Sequence, residues 1–118
     1  MTNPVPARAA AITLAAKYLE SAGFRILDRA WTAPDGQLDI AAVDRQTFVV
    51  CQVTIRSAGR CGTLLEAAGR AGLQRLRGLA VAWLTAHGMR FDQVRVDIID
   101  LTWEGGGGYT TEHLRGVA

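Results

Sequence analysis

Apolar positions open at helical spacing: Ala11, Leu14, Ala15, Tyr18, Leu19 and Ala22 fall at i, i+3, i+4, i+7, i+8 and i+11, and Gly23 follows as a stop. The stripe predicts a helix beginning at Ala7, after a short leader, Met1 to Pro6, that holds two prolines. The period then shortens. Phe24 to Trp31 alternates loosely as a strand, and Pro34, Asp35 and Gly36 supply turn chemistry. Two β-rich runs, Gln37 to Val43 and Thr47 to Ile55, are joined only by Asp44, Arg45 and Gln46. So short a polar connection predicts an antiparallel hairpin.

Ser57 to Gly62 reads as a loop. Leu65, Ala68, Leu73, Leu76, Leu79, Ala80, Trp83 and Leu84 then mark a long amphipathic helix ending near His87 and Gly88. Gly69, Gly72 and Gly78 fall inside that pattern, where each costs about 1 kcal/mol against alanine, and they suggest a break or close packing on the sheet. Val94 to Leu101 is a further strand, with Val94, Val96 and Ile98 on one face. Gly105 to Gly108 is a spacer, and Tyr109 to Val117 adds either an edge strand or a docked tail. The order αβββαβ predicts an α/β domain over residues 1–118, a mixed sheet flanked by helices. Its core is expected over 7–104, with 105–118 as glycine-rich spacer and tail.

Composition narrows the class. With 118 residues, 49% apolar and 20% charged, the chain can bury a core and is too apolar for disorder. The apolar stretch Ala9 to Ala16 is far too short to cross a bilayer and lacks the features of a secretory signal. Cys51 lies in an apolar run and Cys61 in a glycine-flanked loop, so no disulfide framework is expected, and a reducing, cytoplasmic setting is. The net charge is +2, and Lys17 is the sole lysine among the basic residues. Arginine suits phosphate through its planar fork. A preference for arginine also follows from genome composition, so charge alone names no partner.

Strand parity points to one candidate site. Alternation sets Gln37 and Asp39 on one face of the hairpin, with Leu38 and Ile40 on the other. On the partner strand Gln52, Thr54 and Arg56 share a face, with Cys51, Val53 and Ile55 opposite. Both strands thus turn a short polar row to one side of otherwise apolar sequence. The plain reading of such a row is a hydrogen-bonded polar patch within a sheet. His87 and His113 have no ligand spacing and read as a helix-end and a tail residue. Trp31, Trp83 and Trp103 read as packing, and Asp97 shares its strand face with Arg95 and Ile99.

The runs Gly36-Gln37-Leu38-Asp39-Ile40 and Val50-Cys51-Gln52-Val53-Thr54-Ile55-Arg56 resemble the paired strands of the YraN-like proteins. The likeness extends to Ala15-Ala16-Lys17-Tyr18-Leu19, to Gly23 through Trp31, to Arg75-Leu76-Arg77 with Trp83-Leu84, and to Arg95-Val96-Asp97-Ile98. It covers nearly the whole chain, through the order and spacing of its motifs rather than any one of them. The resemblance implies a restriction-endonuclease-like fold and a variant of the PD-(D/E)xK nuclease site. There, carboxylates hold Mg²⁺ and a lysine orients the attacking water.

This chain departs from that pattern at nearly every charged position. The family's first-strand glutamate falls at Gln37, its second-strand glutamate at Gln52 and its lysine at Thr54. A glutamate common in its first helix falls at Ile12, and a lysine common in its second at Gly72. Asp39 alone keeps its type, and one carboxylate holds magnesium poorly. The expectation is a degenerate site (Asp39, Gln37, Gln52, Thr54) in a catalytically inactive protein that binds nucleic acid, DNA rather than RNA. Arg56, Arg60, Arg70, Arg75 and Arg77 form its candidate phosphate-contacting rim, against the alternative of a solvated helix face. No cofactor is then expected. One alternative is a Mg²⁺-dependent endonuclease with a relocated site, using Asp39 as a metal ligand with Glu66. Another is a protein-interaction or self-associating module. No membrane partner is expected, and a homodimer stays open.

Overall fold

The computed structural model describes residues 7–57, 69–104 and 106–118, with Arg70 described by its backbone alone. The first helix, α1, spans Arg8–Ser21 and buries Ala11, Ile12, Ala15, Ala16 and Leu19. Leu14 and Tyr18 flank that face as expected, whereas Ala22 lies outside it. Gly23 at φ +95° ends the helix, its N–H bonding to Glu20 O and that of Phe24 to Leu19 O, so the chain reverses directly into the sheet.

Strands β1 (Arg25–Ala33), β2 (Gly36–Asp44) and β3 (Thr47–Ser57) form an antiparallel meander. Both connections are two-residue turns: Pro34-Asp35 between paired Ala33 and Gly36, and Arg45-Gln46 between paired Asp44 and Thr47. The second helix, α2 (Arg70–Ala86), crosses over to β4 (Gln93–Trp103), which pairs with β3 in parallel from Thr47↔Gln93 to Ser57↔Trp103. Tyr109–Leu114 then forms β5 along β4, so the tail is an edge strand of a five-stranded sheet ordered β1-β2-β3-β4-β5. The mixed sheet agrees with the expected α/β class.

The helices cover opposite faces. Against α1 lie Ile40, Ala42, Val49, Cys51, Val53, Ile99 and Leu101; against α2 lie Leu38, Ala41, Phe48, Val50, Val96 and Ile98. Phe48 is fully buried and stacks on Trp83, ring centroids 5.2 Å apart. The helix glycines do not mark close packing. Gly69, at φ +76°, precedes α2, and a Cβ on Gly72 or Gly78 would meet open space.

Phe48→Ala removes a buried aromatic from the centre of the α2 layer and is expected to cost about 3–5 kcal/mol. Urea unfolding measures it; an unchanged midpoint would contradict this packing.

Candidate functional site

The expected alternation of β2 breaks at Asp39. Leu38 packs with α2 and Ile40 with α1, although parity predicts one face for both. The cause is visible on both sides. Register with β3 is continuous only from Ile40↔Cys51 to Asp44↔Thr47. On the other flank β1 pairs Arg29 with Ile40 and Trp31 with Leu38, and the residue between them, Ala30, takes φ +52°. A left-handed alanine costs about 1–2 kcal/mol, so the kink is imposed by its surroundings. It turns the Asp39 carboxylate toward the α1 layer.

There Asp39 is buried, 4% exposed. Its Oδ2 accepts the Val53 main-chain N–H at 2.8 Å and bonds the Arg8 guanidinium from the first turn of α1. A side-chain oxygen thus satisfies a β3 amide where the regular β2–β3 ladder has ended. Burial is the largest influence on the carboxyl and leaves its pKa raised, although the Val53 amide and Arg8 pull it down. Ile12, one helical turn after Arg8, is buried in the apolar cluster below α1.

The remaining predicted residues point elsewhere. Gln37 is exposed. Gln52 and Thr54 alternate with Cys51, Val53 and Ile55 of the α1 face, which sends them to the α2 face, opposite Asp39. Thr54 Oγ1 donates to Asp100 Oδ1 at 2.6 Å, Arg56 Nε donates to the same oxygen at 3.1 Å, and Thr102 Oγ1 donates to Oδ2 at 2.5 Å. Asp100, buried at 1% exposure, is thus the hub of the second half of the polar row. Sequence reasoning passed over Asp100, although a lone charge in the run Ile98-Ile99-Asp100-Leu101 was the available signal. It also passed over Arg8, which the i, i+4 relation to Ile12 places on the inward face.

Arg75 and Arg77 are exposed on α2, the layer opposite Asp39. The Arg75 side chain nevertheless lies over the start of β2, its Nε 4.0 Å from where a Cβ on Gly36 would sit, while Arg77 Nη1 bonds Ala118 O at 2.9 Å. Strand directions put the start of β2 and the ends of β3 and β4 at one end of the sheet. Arg8, Arg56 and Arg75 therefore gather at that end, on both layers. Arg60, Cys61 and Glu66 lie outside the described residues, as does the Arg70 side chain.

A third buried carboxylate, Asp97, faces α1 near the other end. Its Oδ1 accepts Arg95 Nε at 2.8 Å and the Gly116 N–H at 3.0 Å; its Oδ2 lies 2.8 Å from His113 Nε2 and 3.0 Å from Arg95 Nη2. Burial alone would raise this carboxyl, but the bonds from His113, Arg95 and Gly116, with the Arg95 charge, outweigh it and hold the pKa below its ordinary value. His113 is thus a buried partner of the sheet as well as a tail residue.

Among the described residues no three acidic, histidine or cysteine side chains group as metal ligands. At Asp39 a guanidinium and an amide already engage one carboxylate oxygen, so the donors among the described residues do not by themselves fit a divalent cation. The described helices include none long and apolar enough to cross a membrane.

An open five-stranded mixed sheet with a helix on each face, kinked at a buried aspartate, defines an α/β protein compatible with the restriction-endonuclease-like fold. The model of the uncharacterised protein family UPF0102 matches residues 13–101. The chain belongs to this family, the YraN-like group expected from its motifs. It is 44% identical over 104 residues to a UPF0102 protein of an Arthrobacter species and 39% identical over 104 residues to one of Beutenbergia cavernae, in each case covering 88% of both chains. A UPF0102 protein of Paenarthrobacter aurescens is 40% identical over 104 residues, 88% of this chain and 86% of the relative.

The two α1-facing carboxyls carry opposite pH signatures. Asp39 holds its proton more tightly when folded, so its contribution to stability falls as pH rises through the native pKa. Asp97 holds its proton less tightly, so its contribution is present above the unfolded value of about 3.9 and is lost as pH falls through the native one. Asp97→Asn is expected to cost about 1–3 kcal/mol near neutrality by removing the carboxylate that Arg95, His113 and the Gly116 N–H share, with Arg95 keeping Asp44. Unfolding midpoints should show that deficit narrowing in acid. Asp39→Asn keeps an oxygen for the Val53 amide and is expected to shift stability by no more than about 1 kcal/mol.

Proposed function

We propose that this chain is a nuclease-fold protein that binds nucleic acid, DNA rather than RNA, without cutting it. The observation that carries the reading is the state of Asp39. Its charge is met by Arg8 of the same chain, and Ile12 presents hydrocarbon one helical turn away. A carboxylate already paired with a guanidinium is a poor starting point for metal-assisted phosphodiester hydrolysis, which needs several oxygen ligands around one cation. Thr54, where the family pattern has lysine, spends its hydroxyl on Asp100 on the opposite face.

The binding half of the reading rests on Arg8, Arg56 and Arg75 at one end of the sheet, with Arg77 further along α2. Basic side chains from both layers at one end of the sheet suit a phosphate backbone that runs over it. Cytoplasmic nucleic acid is the partner consistent with a cysteine usage that needs no oxidising compartment.

The test incubates the purified protein with branched and single-stranded DNA in Mg²⁺ or Mn²⁺, beside an Asp39→Ala variant. Salt-dependent binding with intact DNA is expected. Cleavage that disappears in Asp39→Ala would overturn the silent-site half, and no binding at low salt would overturn the other half in favour of a protein-interaction module. Arg75→Ala is expected to flatten the slope of log affinity against log salt by about 0.9 on duplex DNA; filter binding across a salt series reads it.

A further inference from the structure

The end of the sheet away from Asp39 carries a second basic assembly. Between the close of α1, the β2–β3 turn and the start of β4 lies a cleft of about 640 Å³, lined by Gly23, Asp44, Arg45, Thr47, Arg95 and Arg115 among others. Three of these six are arginines, brought from three separate stretches of chain. Arg95 is fixed from behind by two bonds to buried Asp97 and from the side by Asp44, 3.0 Å from its Nη2. Arg115 is half exposed and reaches Asp44 only at 3.5 Å. The guanidinium carbons of Arg95 and Arg115 stand 5.8 and 5.2 Å from the centre of the Phe24 ring, which restrains both. Arg45 sits at the tip of the two-residue turn with φ +59° and has no ion pair among the described residues.

The charge ledger selects the ligand. Asp97 is fully buried behind Arg95, and among the described residues Asp44 is the carboxylate that lines the cleft beside three guanidiniums. Because Asp97 pairs with Arg95 through two bonds, three guanidiniums meet two carboxylates, and the surplus positive charge rests on Arg45 and Arg115, whose planar forks recognise tetrahedral or planar oxyanions through paired N–H bonds. Asp44, lying between Arg95 and Arg115, marks where oxyanion oxygens are accepted. We propose that this cleft binds a phosphoryl group, held by Arg45 and Arg115 with Arg95 behind them and opposed by Asp44. Arg115 enters the cleft because Asp97 holds His113 and Gly116 on either side of it, so the site is assembled only when the tail is docked. The proposal stands independently of nucleic-acid binding at the Asp39 end.

Inorganic phosphate is the probe, titrated into the isotope-labelled full chain at constant sodium concentration and followed by amide NMR. Saturable shifts confined to residues such as Gly23, Asp44, Arg45, Thr47 and Arg115 are expected. The Arg45→Ala/Arg115→Ala double variant, altered at exposed side chains, should weaken binding at least about tenfold, and Asp44→Asn should tighten it. A 5′-phosphorylated dinucleotide that binds no more tightly than phosphate would identify the phosphoryl group as the whole ligand; tighter binding through the same residues would identify a nucleotide end as its source. Shifts that never saturate or spread over the whole surface would overturn the proposal. So would a double variant that binds phosphate as the natural chain does while retaining its melting temperature. Because the probe is a free anion, failure here says nothing about DNA binding, and loss of DNA binding would leave this result standing.

Discussion

The parallel pairing of β3 with β4, buried on both faces, is the constraint on which the rest of the structure depends. Their register runs unbroken from Thr47↔Gln93 to Ser57↔Trp103. A parallel pair requires a crossover, which α2 provides, and two-sided burial requires a second layer, which α1 provides. Both strands therefore read as nearly continuous apolar runs. Every polar side chain that interrupts them must find its partner inside the protein, since little water reaches it. The described residues leave no buried side-chain nitrogen or oxygen unpartnered.

The three buried aspartates answer that demand in different ways, and each answer recruits a distant piece of chain. Asp39 draws in Arg8 and the Val53 amide, which ties the start of α1 to the end of β3. Asp100 gathers Thr54, Arg56 and Thr102, which ties β3 to β4 on the α2 side. Asp97 collects Arg95, His113 and Gly116, which docks β5 and the residues after it. Paired buried charges of this kind add less to stability than hydrophobic replacements often would, but breaking one is expensive. Their effect here is positional: they hold arginines at both ends of the sheet, at the Asp39 end and in the Phe24 cleft.

Much of the architecture was legible because the signals are local. The α1 stripe, the turn at Pro34 and Asp35, the hairpin around Arg45 and Gln46, and the apolar face of α2 each declare themselves within a few turns of chain. The candidate site was legible only in its members. Gln37, Asp39, Gln52 and Thr54 read as one polar row under strict alternation, yet Asp39 and Thr54 end on opposite faces of the sheet. Alternation assumes a regular strand, and β2 is irregular at Asp39 because neither β1 at Ala30 nor β3 beyond Cys51 continues the regular pairing.

The sequence by itself determined the α/β class, the order of helices and strands, the family likeness, and the loss of charged residues at the family's site positions. Periodicity and residue type carry those properties, and both can be read without neighbours. Only the tertiary structure decided that the tail is a fifth strand, that Arg8 neutralises Asp39, that Thr54 serves Asp100, and that His113 is buried on Asp97. The three side-chain contacts join residues at least sixteen positions apart, Arg8 and Asp39 by 31 and Thr54 and Asp100 by 46. Which partner a buried charge takes is settled by which layers close over it, and that is a property of the assembled sheet.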